Sequence, residues 1–194
     1  MLTINTSAMK NILMTLIVCN TIFISAQTIP VEGYVDYKYD IPDGAYIKDV
    51  NNVLDKFVGT WTGTYDQKNY SFFVTKVKMY FDYVKFTEDI LLMRYTITDA
   101  GGNTIEDTTK LPDDHELVIE GQYMDEGGKY VLDYIGREFF CGQGGDVLIG
   151  MMEGSNNTQM FLTVFGSETW LSCTTGYAEP LLPYKKNYVV LTKQ

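Results

Sequence analysis

The sequence predicts an all-β domain: about eight to ten short antiparallel strands, closed into a barrel or stacked as a β-sandwich, behind one short N-terminal helix. Three observations carry this. From Phe57 onward the apolar residues recur with a period of two, as they do when alternate side chains face a core. Gly, Asp, Asn and Pro punctuate these runs at intervals short enough for neighbouring strands to run antiparallel. Aromatic residues make up 14% of the chain and 15 of them are Tyr, whose ring packs on a pleated surface while its hydroxyl reaches a polar partner.

The first element in chain order is a leader. Within residues 1–26, Lys10 precedes the apolar run Ile12 to Cys19, which Asn20 interrupts before Thr21-Ile22-Phe23-Ile24. Ser25-Ala26-Gln27 then offers a small-residue cleavage point, so the stretch reads as a signal peptide cut near Ala26. The mature chain is expected to be periplasmic or secreted. An uncleaved anchor is the rival reading; the run is too short for it and is broken by Asn20. Cleavage takes the formal charge from −10 to −11, since Lys10 is the only charged residue removed. It also removes Cys19 and leaves Cys141 and Cys173 as an even pair, which in an exported protein predicts one disulfide over two separate thiols. No later apolar segment is long enough to span a bilayer, so no stable membrane insertion is expected after cleavage.

Residues 27–56 are expected to form an extended lead-in and the helix. The lead-in carries Tyr34, Tyr37 and Tyr39, which are costly to leave in water, and ends in the turn Pro42-Asp43-Gly44. Ile47, Val50, Val53 and Leu54 fall three and four apart with no Pro or Gly between them, which predicts an amphipathic helix over 45–56 against one end of the sheet.

Residues 57–194 then read as a single barrel domain. Phe57, Gly59, Trp61, Gly63 and Tyr65 alternate in the first strand. Phe73, Val77, Met79 and Phe81 share one face of the second, with Lys76 and Lys78 on the other. Leu91, Met93, Tyr95 and Ile97 share a face of the third, and Asp99 to Asn103 turns the chain back through Thr104–Thr109. Leu117, Ile119, Gly121 and Tyr123 mark a half-buried strand, and Tyr130, Leu132 and Tyr134 the next. Gly142 to Gly145 is expected to break the chain before the last strands at 147–152, 159–165 and 188–192.

Between barrel and sandwich, the stretch Lys56-Phe57-Val58-Gly59-Thr60-Trp61 favours the barrel. It resembles the lipocalin and fatty-acid-binding protein superfamily, in which Lys-Phe-x-Gly-x-Trp introduces strand one and the indole closes the barrel floor under a basic side chain from the last strand. The matching positions are Lys56, Phe57, Gly59 and Trp61. The resemblance implies a lipocalin-like barrel closed by Gly59, Trp61 and a cation. That cation is Lys193, near the end of the final strand, or one of Arg94 and Arg137; the sequence does not choose. The mature chain also resembles an uncharacterised family of secreted Bacteroidota proteins. The carrying segments are Gly59–Tyr65, Arg94–Asp99 with Asn103, Asp107–Asp114 and Cys141-Gly142-Gln143. That resemblance implies export and a single domain, and brings no activity.

The sequence excludes more chemistry than it offers. Acidic residues number 25 against 15 Lys plus Arg, which argues against a nucleic-acid partner. His115 is the only His and lies in the acidic turn Asp113–Glu116, and no Gly-x-Ser-x-Gly elbow exists for a nucleophilic Ser. Cys141-Gly142-Gln143-Gly144-Gly145 lacks the Lys-Ser/Thr ending of a phosphate loop. A single His and two Cys do not make a zinc site, and the acidic pairs Asp113-Asp114 and Asp125-Glu126 lack the spacing of a calcium loop. No catalytic residue, metal or cofactor is expected, and the chain reads as a non-enzyme. Paired carboxylates, which act through space, are the one catalytic route that sequence order does not address.

The expected function is therefore binding. Phe73, Met79, Leu91, Met93, Tyr95, Ile119, Tyr123 and Tyr134 are the residues expected to hold a small apolar ligand inside the barrel. The same side chains would equally fill a tight barrel, and the sequence leaves cavity and filled core open. The alternative function is a cell-envelope interaction module that binds a protein or glycan through the Tyr-rich lead-in.

Overall fold

The computed structural model describes residues 27–34, 41–166, 169–184 and 188–194. The expected leader and its cleavage at Ala26 lie outside the described residues, as do Tyr37 and Tyr39 of the lead-in.

The described chain is one 11-stranded sheet. Its strands are β1 (Thr28–Pro30), β2 (Tyr46–Lys48), β3 (Gly59–Tyr65), β4 (Lys68–Phe81), β5 (Phe86–Thr98) and β6 (Thr104–Asp107). They continue as β7 (Ile119–Met124), β8 (Tyr130–Ile135), β9 (Gly144–Met151), β10 (Gln159–Gly166) and β11 (Val189–Lys193). From β5 the path runs through β4, β3, β11, β10, β9, β8 and β7, and β7 pairs back onto β5 with Leu92 opposite Glu120 and Met93 opposite Ile119. Every pairing around this ring is antiparallel, so the fold is a closed eight-stranded barrel of the lipocalin-like kind. A closed ring has no free edges to stack, which disposes of the sandwich.

The barrel axis is filled with side chains. Trp61, Phe72, Leu91, Met93, Ile119, Leu132, Tyr134, Val147 and Leu162 are all wholly buried in one core cluster. Their rings follow one another along the axis: Tyr70 stacks on Phe72 at 6.1 Å, Phe72 meets Tyr95 at 6.2 Å, and Tyr95 meets Tyr134 edge-on at 6.4 Å. Burying each such ring stabilises the fold by roughly 2–3 kcal/mol. Buried Leu54 and Phe57 belong to this cluster at the Trp61 end. At the opposite end lies the connection from β10 to β11: Leu182 is buried, and the Leu181 carbonyl accepts a hydrogen bond from the Tyr70 hydroxyl. A Cys141–Cys173 disulfide ties that connection to the short 3-10 turn Phe139–Cys141.

Four sequence expectations are corrected. Residues 45–56 form no helix: Tyr46–Lys48 is strand β2, and residues 50–51 and 53–57 are turns. Ile47 and Leu54 are buried there, while Val50 is exposed, so the helical spacing came from a strand and a turn that bury residues separately. In β4 the inward residues are Tyr70, Phe72 and Val74, while Phe73 faces out, 37% exposed. Val77, Met79 and Phe81 share that outer phase and pack on a second cluster, Ile90, Leu92 and Val118, outside the barrel. In β7 a bulge between Gly121 and Tyr123 shifts the alternation by one, so Met124 reaches the core and Tyr123 does not. Finally, Gly144 and Gly145 open β9 rather than breaking the chain before it. A Cβ on Gly145 would sit 2.0 Å from the Phe165 carbonyl oxygen, so only glycine admits this pairing with β10.

Candidate functional site

The barrel floor is built as a structural closure. The Trp61 indole N–H donates to the Phe57 carbonyl at 2.7 Å, and the Lys193 ammonium lies 5.1 Å from the ring centre. Lys193 also donates to the Lys56 carbonyl at 3.3 Å. Gly59, at a positive φ of 133°, leaves room for it: a Cβ there would meet the Lys193 side chain at 3.0 Å. Of the other cations considered, Arg94 bonds the Leu111 carbonyl and Asp113, and Arg137 makes a two-point pair with Glu106. Both the indole N–H and the Lys193 ammonium thus have partners.

The eight expected ligand residues divide. Leu91, Met93, Tyr95, Ile119 and Tyr134 come together on the axis, where each packs against its neighbours. Phe73, Met79 and Tyr123 lie outside the barrel and do not join them. Tyr123 stacks on Tyr34 of the lead-in at 6.0 Å between ring centres.

That stack borders a different feature, which the pairing of β5 creates. At its lower end β5 pairs with β2, Ile47 opposite Glu88; at Leu92 and Met93 it pairs with β7, and from Thr96 upward with β6. Between these levels its edge changes partner and a lateral cleft of about 270 Å³ opens. Tyr34, Ile41, Phe81, Val84 and Phe86 give it apolar walls, and Glu88, Glu120 and Gln122 are its polar groups. Glu88 is only 4% exposed and has no hydrogen-bond or ion-pair partner among the described residues. Burial, then the charges of Asp89 and Glu120, push its carboxyl up to about 8. Burial and the neighbouring Asp133 raise Glu120 as well, and burial followed by the Glu88 charge raises the Tyr34 hydroxyl.

An acidic row continues from the cleft across the outer face. Glu120 on β7 stands directly opposite Asp133 on β8, which stands opposite Asp146 on β9. The row is flanked by Leu92 on β5 and Phe165 on β10, so no cation interrupts it. Directly opposed like charges oppose folding, and burial with Asp146 alongside raises the Asp133 carboxyl. Among the described residues none of these three carboxylates forms an ion pair.

Glu88 and Glu120 are thus both displaced upward from the ordinary carboxylate range. Among the described residues no three His, Cys, Asp or Glu side chains are grouped to hold a metal ion. His115 sits in its turn with Nδ1 accepting from the Leu117 amide. Sequence reasoning missed Glu88 because its burial depends on the distant lead-in and the partner change. The signal it carried was a charged residue at the outward phase of a strand, β5, whose outward positions 90 and 92 are apolar.

A second cavity, of about 220 Å³, lies at the mouth between the β3–β4 turn and residues 179–184. Beside the disulfide, exposed Phe140 and Trp170 meet edge-on at 6.2 Å. No helix among the described residues is long and apolar enough to cross a membrane.

No curated protein and no solved structure matches this chain. A family model does match, over residues 9–134, a span that takes in β1 to β7 and most of β8. The chain belongs to that family, a family of unknown function (DUF6705).

Proposed function

We propose that the protein is an exported binding protein that holds a small, mostly apolar ligand in the lateral cleft beside β5 and β7, and is not an enzyme. The supporting observation is the contrast in filling: rings occupy the barrel axis, while the cleft is open, apolar-walled and floored by a buried carboxyl without a partner among the described residues. Export rests on the disulfide, which persists in oxidising compartments, together with the leader read from residues 1–26.

Binding of the neutral dye Nile red tests the site. Val84 is 42% exposed at the cleft wall, so Val84→Trp should fill the cleft without disturbing the core. Wild-type protein should enhance the dye fluorescence and Val84→Trp should lose most of the enhancement. Undiminished binding by the variant would place the ligand elsewhere.

A second reading, an envelope module that binds a protein or glycan, is favoured by the exposed Phe140 and Trp170 at the mouth. Of the described lead-in residues, Ile29 and Val31 are buried in the core and Tyr34 packs against it.

A further inference from the structure

We infer that the ligand of the lateral cleft is an organic amine, whose ammonium group takes Glu88 as its counter-ion while its apolar part lies against Phe86 and Tyr34. The inference rests on the cleft being a binding site and adds the chemical class of its ligand. A buried carboxyl with no donor near it is costly to a fold, and such groups are ordinarily paired. Glu88 is buried to 4% exposure and faces the cleft, yet no Lys, Arg or backbone amide among the described residues reaches it. A donor brought by a ligand would complete the arrangement.

The surroundings select the sign of that ligand's charge. Among the described residues, the titratable groups coupled to Glu88 are acidic or phenolic: Tyr34 from the lead-in, Asp89 on β5 itself, Glu120 from β7 and Tyr130 from β8. The row Glu120, Asp133, Asp146 extends the same sign across the outer face, so an anion is repelled on approach and a cation attracted. The aromatic walls supply faces against which a cation and its apolar stem both pack. A neutral apolar ligand would leave the Glu88 carboxyl without a donor, and an anion would meet repulsion from Asp89 and Glu120.

The proton balance is explicit. Below about pH 8 the carboxyl is mostly protonated, and an arriving ammonium displaces that proton to solvent; the ammonium keeps its own. Apparent affinity should therefore rise about tenfold per pH unit up to about pH 8 and then level off.

Hexylamine, hexanol and hexanoate, matched in chain and differing in charge, test this by titration calorimetry on the mature protein. Hexylamine should bind at least tenfold more tightly than hexanol at pH 8, and hexanoate should not bind. Hexylamine binding at pH 7 should release close to one proton, read from buffers of different ionisation heat. Glu88→Gln should bring hexylamine down to the level of hexanol and abolish the proton release. Equal binding of hexylamine and hexanol by the wild type would overturn the amine assignment while leaving an apolar cleft. Absence of binding by all three, with Nile red also unbound, would overturn both. The wild-type comparison needs no variant, so it holds even if Glu88→Gln folds poorly.

Discussion

Asp49 and Glu88 are buried almost equally, at 5% and 4% exposure, and the fold treats them in opposite ways. The Asp49 carboxylate accepts from the Val53 amide at 2.7 Å and the Leu54 amide at 3.2 Å, and pairs with Lys76 at 3.0 Å. It organises the turns that carry Leu54 and Phe57 onto the barrel floor. Glu88 organises nothing among the described residues. One region spends its buried charge on closing the barrel; the other keeps it open to a cleft. A fold that retains an unpaired buried carboxyl gives up stability there, and such concessions gather where a protein binds something.

Removing each carboxylate should break the symmetry of burial. The largest effect is expected from Asp49→Ala, which leaves the Val53 and Leu54 amides without their acceptor and removes the Lys76 contact. It should cost about 3–4 kcal/mol in denaturant unfolding, with a lower midpoint. Glu88→Gln should act in the other direction, and only at high pH. The folded state holds the Glu88 proton up to about pH 8, whereas the unfolded chain releases it near the ordinary 4.5. Raising the pH through that window therefore favours unfolding, and the loss is complete once both states are ionised. Asp99, Glu106 and Asp107, each lowered mainly by hydrogen bonds to their carboxylates, contribute oppositely at lower pH, so the difference between variant and wild type is the quantity to read. Glu88→Gln should be more stable than wild type at pH 8, by up to a few kcal/mol, with the gap shrinking to under about 1 kcal/mol by pH 5. The smallest effect belongs to Lys193→Met, which removes the cation over Trp61 and one hydrogen bond on the partnered floor. About 1 kcal/mol should be lost, measured by the same unfolding.

The floor was legible in the sequence because its signal is local. Gly59, Trp61 and the residues before them sit within one short stretch, and only the choice of Lys193 over the two Arg needed three dimensions. The interior face of β5 was legible for the same reason: Leu91, Met93, Tyr95 and Ile97 keep a clean alternation. β4 was not, because apolar residues occupy both of its faces, Phe72 and Val74 inward and Val77 and Met79 against the outer cluster. Period alone cannot tell which face is inside when both are covered. Tyr123 was misassigned through a bulge that adds one residue to the count, and 45–56 through a spacing that a strand and a turn imitate together. The cleft was illegible altogether. It exists because β5 exchanges β2 for β7 as its neighbour, and register between distant strands is not written in either strand's own pattern.

The central claim is that Glu88, buried and unpaired among the described residues, takes a cation as its partner. A carbon-13 titration of its side-chain carboxyl, assigned by comparison with Glu88→Gln, reads that directly. The account predicts a midpoint of about 8 in the free protein, falling by at least one unit when hexylamine is added. A midpoint in the ordinary range near 4.5, unmoved by the amine, would contradict it.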